Sequence, residues 1–314
     1  MHRHRSRRGK LSLFAALGGV LAVAIAAVAW AAPVTIPGPD GFQQNLRLES
    51  EGDSFFDVYQ PPDQYNDDCA LGDLGGPIAD DVGFSPASDV DAEDGTNDTF
   101  DGGLVLAVRS PGGTTIFEDS NQTGNKVGEQ ITVGPEKIRG LRVTRVERAL
   151  QTSPTLRSLI KVKNPKRGKA IKRTLIWDSD LGADDSEVVR ASSTNDLVLT
   201  NADRWMIFGD DPVNPSDAQG TFVLYGKGKG VKKTKVFNPV VDADSCISFR
   251  ITVRVPPRSS RYVLFFTEVH PEDALADAVA DAKKFNRKKP AGVLGGLKKS
   301  VKKRVVNWDL APRR

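Results

Sequence analysis

Residues 247–255 read ISFRITVRV, and apolar residues alternate with polar ones along the whole stretch. Successive side chains of a β-strand point to opposite faces of the sheet, so this alternation predicts a strand with one apolar face. The apolar face belongs in a core. The other face carries Ser248, Arg250, Thr252 and Arg254, and we expect it to meet solvent or a charged layer.

Short runs of the same kind recur along the chain, with turn-forming residues between them. They are 104–108, 114–117, 130–133, 141–150, 156–163, 171–177, 187–191, 197–199, 205–208, 222–225, 246–255 and 262–269. About a dozen strands at this spacing predict a mainly β protein, built as a large antiparallel β-sandwich.

After residue 270 the pattern changes from strand to helix. Pro271 and two acidic residues supply a first turn for an alanine-rich run at 274–285, and a second helix is predicted from 293 to about 306. The expected organisation is a signal peptide at 1–31, an acidic strand-and-loop region at 32–103 packed on the main domain, the β-sandwich at 104–270 and a C-terminal pair of helices at 271–314.

The first 31 residues have the order of a secretory signal. Five basic residues precede an unbroken apolar or small run at 11–32, and Ala29-Trp30-Ala31 supplies a cleavage site. We therefore expect a secreted, extracellular protein. The apolar run is also long enough to span a bilayer, so the alternative is a protein anchored in the membrane by an uncleaved N-terminal helix.

Charge is divided unevenly along the chain. Residues 33–120 hold 19 acidic and two basic residues, whereas 121–314 hold 37 basic and 21 acidic ones. This asymmetry suggests that the acidic part lies against the basic part or coordinates cations. We do not expect nucleic acid as a partner of an exported chain, and a membrane is expected only if the leader stays uncleaved.

The two cysteines, Cys69 and Cys246, are an even pair in a chain with an export signal. Such pairs usually form a disulfide in oxidising compartments, and we predict one here. The alternative is two buried free thiols.

Two acidic stretches are candidate calcium sites, and calcium is the one cofactor for which the sequence offers ligands. Calcium takes six to eight oxygen ligands, which closely spaced acids on a glycine-containing loop provide. The alternative is a solvated acidic loop, and neither stretch has the register of an EF-hand. The candidate ligands are Asp89, Asp91, Glu93, Asp94 and Asp98 in the first stretch, and Asp178, Asp180, Asp184, Asp185 and Glu187 in the second.

Catalytic groups are scarce. Beyond the leader His270 is the only histidine, and no Gly-x-Ser-x-Gly motif is present. A glycosidase needs two carboxylates roughly 5 to 10 Å apart, a condition that 40 acidic residues meet by chance. Trp177, Trp205, Tyr225 and Trp308 offer rings for sugar stacking, although tryptophans in a sandwich are more often core residues.

Several short motifs occur in a fixed order. They are TFDGGL (99–104), GLRVTR (140–145), NP (164–165), DLGAD (180–184), NADRW (201–205), GDD (209–211) and VNWD (306–309). In this order they resemble a poorly characterised family of bacterial extracellular β-sandwich domains, most familiar in actinobacteria.

The resemblance implies a large antiparallel architecture similar to the supersandwich of galactose-mutarotase-like domains, with a terminal helical appendage. Those epimerases use paired histidines, which this chain lacks beyond its leader, so their activity is not implied. The motif residues Asp180 and Gly182 look like turn formers, and Asp203, Arg204 and Trp205 look like a structural lock. The chain departs from the family in lysine-rich inserts at 227–235 and 298–303.

These observations favour a secreted or surface-associated, non-enzymatic β-sandwich protein that acts as an extracellular interaction or carbohydrate-binding module. Its expected partner is a cell-wall or extracellular glycan, or another surface protein. The alternative is a carboxylate-dependent, glycan-active hydrolase or lyase.

Overall fold

The computed structural model describes residues 32–35, 46–50, 55–59, 85–87, 99, 105–117, 123–181, 187–210, 218–236 and 246–311. All of them belong to one compact unit, Ala31–Arg314. Every strand pair in this part of the chain is antiparallel, and the strands form three sheets.

The largest sheet has nine strands. In spatial order they are β1 (Ala32–Thr35), β7 (Thr123–Val127), β8 (Gln130–Ile138), β9 (Leu141–Ala149), β10 (Thr155–Lys163), β17 (Ser260–His270), β14 (Gln219–Val223), β13 (Trp205–Asp210) and β12 (Glu187–Ser192). One half of this sheet is built from hairpins such as β8–β9 and β9–β10. Strand β17 lies between that half and the strands β12–β14.

The second sheet has five strands, in the order β15 (Lys235–Val236), β16 (Cys246–Val255), β11 (Ile171–Asp180), β5 (Val105–Ser110) and β6 (Gly113–Ile116). A third, three-stranded sheet consists of β2 (Leu46–Glu49), β3 (Phe55–Tyr59) and β4 (Ser85–Ala87).

The main core lies between the sheets. Strand β16 faces it with Ile247, Phe249, Ile251 and Val253, as the alternation in the sequence predicts, and side chains of the nine-stranded and three-stranded sheets complete the same cluster. A second apolar cluster covers the opposite face of the nine-stranded sheet, where the C-terminal residues pack. The molecule therefore has a layer beyond the sandwich.

Two helices follow β17. Helix α1 (Leu275–Lys284) agrees with the predicted run and buries Ala278 and Ala282. Helix α2 (Lys299–Lys302) is much shorter than predicted, because Gly292 and Gly296 have left-handed φ values of 80° and 72° and interrupt the helical path. The predicted class, a mainly β antiparallel sandwich with two C-terminal helices, is confirmed.

The last described residues insert between two strands of the large sheet. We call 304–308 the C-terminal strap. Its backbone pairs with β17, since the Val306 N–H donates to the Tyr262 carbonyl at 2.9 Å and the Tyr262 N–H to the Arg304 carbonyl at 3.1 Å. Strand β14 ends at Val223, and the strap replaces it as the neighbour of β17.

Asn307 fixes the strap through its side chain. Its Oδ1 accepts from the Leu264 N–H at 2.9 Å, and its Nδ2 donates to the carbonyls of Leu264 at 2.6 Å and Leu224 at 3.0 Å. The Trp308 indole N–H also donates to the Leu264 carbonyl, at 2.7 Å. A Cβ on Gly226 would lie 2.1 Å from the Trp308 ring, so only glycine fits beneath it.

One predicted strand is wrong. Residues 197–199 form no strand, and Leu197 and Val198 are each 65% exposed on the loop between β12 and β13. Side-chain hydrogen bonds within that loop hold the chain in turns, and they override the strand preference of three apolar residues.

Several predictions fall outside the described residues. The leader at 1–31 and Cys69 lie outside them, and Cys246 is the first residue of β16. The disulfide, the cleavage of the leader and the domain boundaries therefore stay predictions. Within the described residues no helix is long and apolar enough to cross a membrane.

Candidate functional site

A groove of about 600 Å³ opens on the outer face of the five-stranded sheet. Its described lining residues are Arg109, Thr174, Ile176, Lys232, Lys233, Lys235, Arg250, Ile251 and Thr252. Five of the nine are positively charged, and none of these described residues is acidic or aromatic. We call this site the basic groove.

Strand register places the lining residues in two rows. Arg109, Thr174 and Thr252 are direct partners across β5, β11 and β16. The second row lies two residues along on the same face. It consists of Ile176 on β11, Arg250 on β16 and Lys235 on β15, which are also direct partners. Neighbouring strands lie about 4.8 Å apart and alternate residues about 7 Å apart, so the Cα atoms of Arg109 and Arg250 are roughly 12 Å apart.

Hydroxyl groups form part of the groove floor. Thr174 Oγ1 and Thr252 Oγ1 lie 2.9 Å apart and share a hydrogen bond. Lys232 Nζ donates to the Thr252 carbonyl at 3.0 Å, which holds this ammonium group at the groove wall. Lys233 Nζ lies 5.9 Å from the centre of the Tyr225 ring. The floor therefore presents hydroxyl groups beneath several cations.

The groove concentrates positive charge. Lys235 and Arg250 occupy directly opposite positions on neighbouring strands, an arrangement that is unfavourable for like charges. Three more cations surround the same groove. An anion bound there offsets the repulsion among them, so the site is suited to a negatively charged ligand.

The groove was not predicted from the sequence, which showed the residues at 227–235 only as a lysine-rich insert. Two signals were present in the sequence. Arg250 lies on the polar face of the 247–255 strand, and the lysine-rich insert follows the strand run at 222–225. Arg109 gave no signal, because only the pairing of β5 with β11 brings it to the site.

The aromatic residues proposed for sugar stacking are core residues. Trp177, Trp205, Tyr225 and Trp308 are each no more than 3% exposed. Trp177 packs edge-on against Phe265, with ring centres 5.0 Å apart. The four rings are therefore core residues, as the sequence favoured, and none of them has a face open for a sugar to stack on.

The acidic stretches are mostly outside the described residues. Asp178 lies inside β11 and not on the predicted turn, and its buried carboxylate accepts a hydrogen bond from the Ser248 hydroxyl. Asp180 ends β11 and Glu187 begins β12, whereas Asp184, Asp185 and the stretch from Asp89 to Asp98 lie outside. The described residues contain no group of three His, Cys, Asp or Glu side chains arranged to hold a metal ion.

Asp203 organises the loop between β12 and β13. One carboxylate oxygen accepts from the Thr194 N–H at 3.1 Å and the Thr194 hydroxyl at 2.6 Å, and the other accepts from the Thr200 N–H at 2.9 Å and the Thr200 hydroxyl at 3.1 Å. Burial by itself raises the pKa of Asp203, but these hydrogen bonds outweigh it and lower the pKa below its usual value.

Changing Asp203 to alanine is expected to lower the free energy of unfolding by about 2 kcal/mol, because two backbone N–H groups and two threonine hydroxyls lose the buried carboxylate that accepts their hydrogen bonds. Urea unfolding at neutral pH measures the change. Asp196→Ala is the matched control in the same loop and should cost much less, since Asp196 is exposed. Equal effects of the two changes would show that Asp203 does not fix the loop.

Arg204 and Trp205 connect this loop to the C-terminal region. Arg204 Nη2 donates to Asn286 Oδ1 at 2.6 Å, and the Trp205 indole N–H donates to the same oxygen at 3.3 Å. Of the three residues predicted as a structural lock, Arg204 and Trp205 thus join the start of β13 to the residues that follow α1, whereas the contacts of Asp203 stay within the loop.

A buried acid lies on the face of the nine-stranded sheet that α1 covers. Glu268 is 2% exposed, and its cross-strand neighbours are Thr155 on β10 and Thr221 on β14. Thr155 donates to Glu268 Oε1 at 2.9 Å, while Oε2 has no hydrogen-bond partner in the described part of the chain. Burial raises the pKa of Glu268 to about 8, so the side chain is protonated at neutral pH.

His270 lies two residues further along β17, opposite Gln219. Its Nε2 is 3.6 Å from the Asp281 carboxylate on α1. Burial lowers the pKa of His270 more than Asp281 raises it, so the ring is neutral at pH 7. This contact links the end of β17 to α1.

Comparisons with known proteins were made for the whole chain. No protein-family model matches it, and no curated protein matches it either. Solved structures do match. A galactose mutarotase-like protein from Lactobacillus casei has a TM-score of 0.40 and 9% identity, and the match covers 72% of this chain and all of that one.

Two further structures are similar in the same way. A protein from Klebsiella pneumoniae that is provisionally described as an aldose 1-epimerase gives a TM-score of 0.37 at 8% identity. The match covers 82% of this chain and 96% of that one. A TPR-domain-containing protein from Parabacteroides distasonis gives 0.36 at 10% identity over 54% of this chain. This match spans only 37% of the Parabacteroides protein.

Proposed function

We propose that this protein is a non-enzymatic binding module that acts outside the cell, and that it binds an acidic glycan in the basic groove. The observation that carries the proposal is the set of five cations around one groove whose described lining residues include no acid. The signal-like order of the first 31 residues supports export.

The spacing of the cations favours a glycan over a single small anion. Arg109 and Arg250 are roughly 12 Å apart at their Cα atoms, which suits anionic groups on separate sugar units. Guanidinium groups bind carboxylates through two parallel hydrogen bonds. The hydroxyls of Thr174 and Thr252 on the groove floor can also hydrogen-bond to the hydroxyl groups of a sugar.

The alternative, a hydrolase or lyase, needs two carboxylates across its substrate. The described lining of the groove supplies none, and so it gives that alternative no support. Another surface protein with an acidic face is the alternative partner, and the binding experiment below distinguishes it from a glycan.

Binding is tested with the double variant Arg109→Gln, Lys235→Gln. We expect the wild-type protein to bind tetragalacturonate, a carboxylate ligand, and the variant to bind about 100-fold more weakly, at roughly tenfold for each lost cation. Titration calorimetry at low ionic strength measures both affinities. A glycerol phosphate oligomer separates phosphate from carboxylate recognition, and neutral maltotetraose should not bind.

Lys172→Gln, Arg254→Gln is the matched control. These two residues are direct partners on the same outer face of β11 and β16, are exposed and do not line the groove. The control removes the same charge, and its affinity should stay within about threefold of wild type. Equal losses in both variants, or no binding of any anionic oligomer, would overturn the proposal.

A further inference from the structure

The C-terminal layer carries a second concentration of positive charge. Residues 283–304 contain ten lysines and arginines, and no acidic residue lies between Asp281 and Asp309. Nine of the ten are exposed. We call these ten side chains the basic appendage surface. Two of its lysines pair with acids, Lys284 with Asp281 and Lys288 with Asp309, the latter at 3.7 Å.

The apolar side of this segment is already covered. Val293, Leu294 and Val305 are buried against the nine-stranded sheet. Arg157 on β10 donates to the carbonyls of Val293 at 3.1 Å and Gly295 at 2.6 Å, which fixes the glycine-rich turn. What the segment presents outward is therefore charge, without the exposed apolar stripe that inserts into a bilayer.

The segment that follows the basic appendage surface contacts a residue of the basic groove. Lys232, a groove residue, donates its backbone N–H to the Val306 carbonyl of the C-terminal strap at 2.9 Å. Arg304 lies only two residues before Val306, so the Cα atoms of Arg304 and Lys232 are within about 13 Å.

Resting on the proposed function, we infer that the ligand is a linear polyanion longer than the groove, and that its chain passes Lys232 and continues over the basic appendage surface. The groove holds one end of the bound segment. Each anionic unit beyond the groove then meets further lysines, so affinity rises with the length of the oligosaccharide.

The experiment compares ligand lengths. Calorimetry with di-, tetra- and dodecagalacturonate is carried out on the wild type, on the groove variant (R109Q, K235Q) and on an appendage variant (K298Q, K299Q, K302Q, K303Q). For the wild type we expect the dodecamer to bind at least tenfold more tightly than the tetramer. The appendage variant should keep tetramer affinity but lose this gain, and the groove variant should weaken both.

A second variant controls for the loss of four positive charges as such. It carries K137Q, R142Q, K166Q and R167Q, and these four exposed residues lie outside both surfaces. It should keep the gain with length. Equal affinity of the wild type and the appendage variant for the dodecamer overturns the inference. Binding of the wild type to phosphatidylglycerol vesicles, with no gain in affinity from tetramer to dodecamer, overturns it as well. Failure of the tetramer to bind wild type instead removes the proposed function.

Discussion

Replacing Glu268 by glutamine is expected to stabilise the protein at alkaline pH. Glu268 has a folded pKa of about 8 against an ordinary value of 4.5, so its contribution to stability is fully present below about pH 4.5 and is lost as the pH rises through 8. The total loss corresponds to about 5 kcal/mol. Glutamine is neutral throughout and retains an acceptor for Thr155.

His270 contributes with the opposite sign, because its lowered pKa favours folding above pH 6.5 and this contribution is lost as the pH falls. Urea unfolding between pH 6.5 and 9 therefore isolates Glu268, and about 2 kcal/mol of its total loss falls in this range. The other groups that face this site are Thr155, Gln219, Thr221, Asp277, Asp281 and Lys284. They are the same in both proteins.

Glu272→Gln is the control, since Glu272 is nearby and less buried. It should leave the pH dependence of unfolding unchanged. If Glu268→Gln and wild type lose stability in parallel from pH 6.5 to 9, the Glu268 carboxyl does not hold a proton at neutral pH.

Asn307→Ala is expected to lower the free energy of unfolding by about 4 kcal/mol. The change removes three buried side-chain hydrogen bonds and leaves the Leu264 N–H buried without an acceptor. A cavity at a fully buried position adds to the loss. Chemical unfolding of the two proteins at neutral pH measures the difference.

Asn286→Ala provides the comparison, because it removes the same side chain from a half-buried position. The Asn286 side-chain oxygen accepts two hydrogen bonds, from Arg204 and Trp205. It should cost about 1 kcal/mol. A loss of that size for Asn307→Ala would mean that the C-terminal strap is held by its backbone pairing and not by the asparagine.

Local alternation was sufficient to predict much of the fold. The pattern at 247–255 gave strand β16, its buried face and its polar face, because side-chain direction in a strand depends only on parity. Helix α1 was predictable from its alanine-rich run. Helix α2 was not, since the left-handed conformations of Gly292 and Gly296 depend on how the segment packs on the sheet.

The groove could be predicted only in part. The polar face with Arg250 was visible in the sequence, and so was the lysine-rich insert at 227–235. What the sequence did not show is that Arg109 reaches the same row through β11, and that Lys235 pairs opposite Arg250. These juxtapositions depend on sheet order and register, for which residues distant in sequence carry no local signal.

The position of the C-terminal strap has a consequence for how the chain is made. A ribosome releases residues 219–223 and 260–270 well before 304–308, yet those two strands separate at Val223 and share the strap as their common neighbour. Synthesis from the amino end therefore leaves the backbone groups of Tyr262 and Leu264 on this edge of β17 unpaired until residues 304–307 emerge. This edge of the large sheet is closed only after the strap has been made.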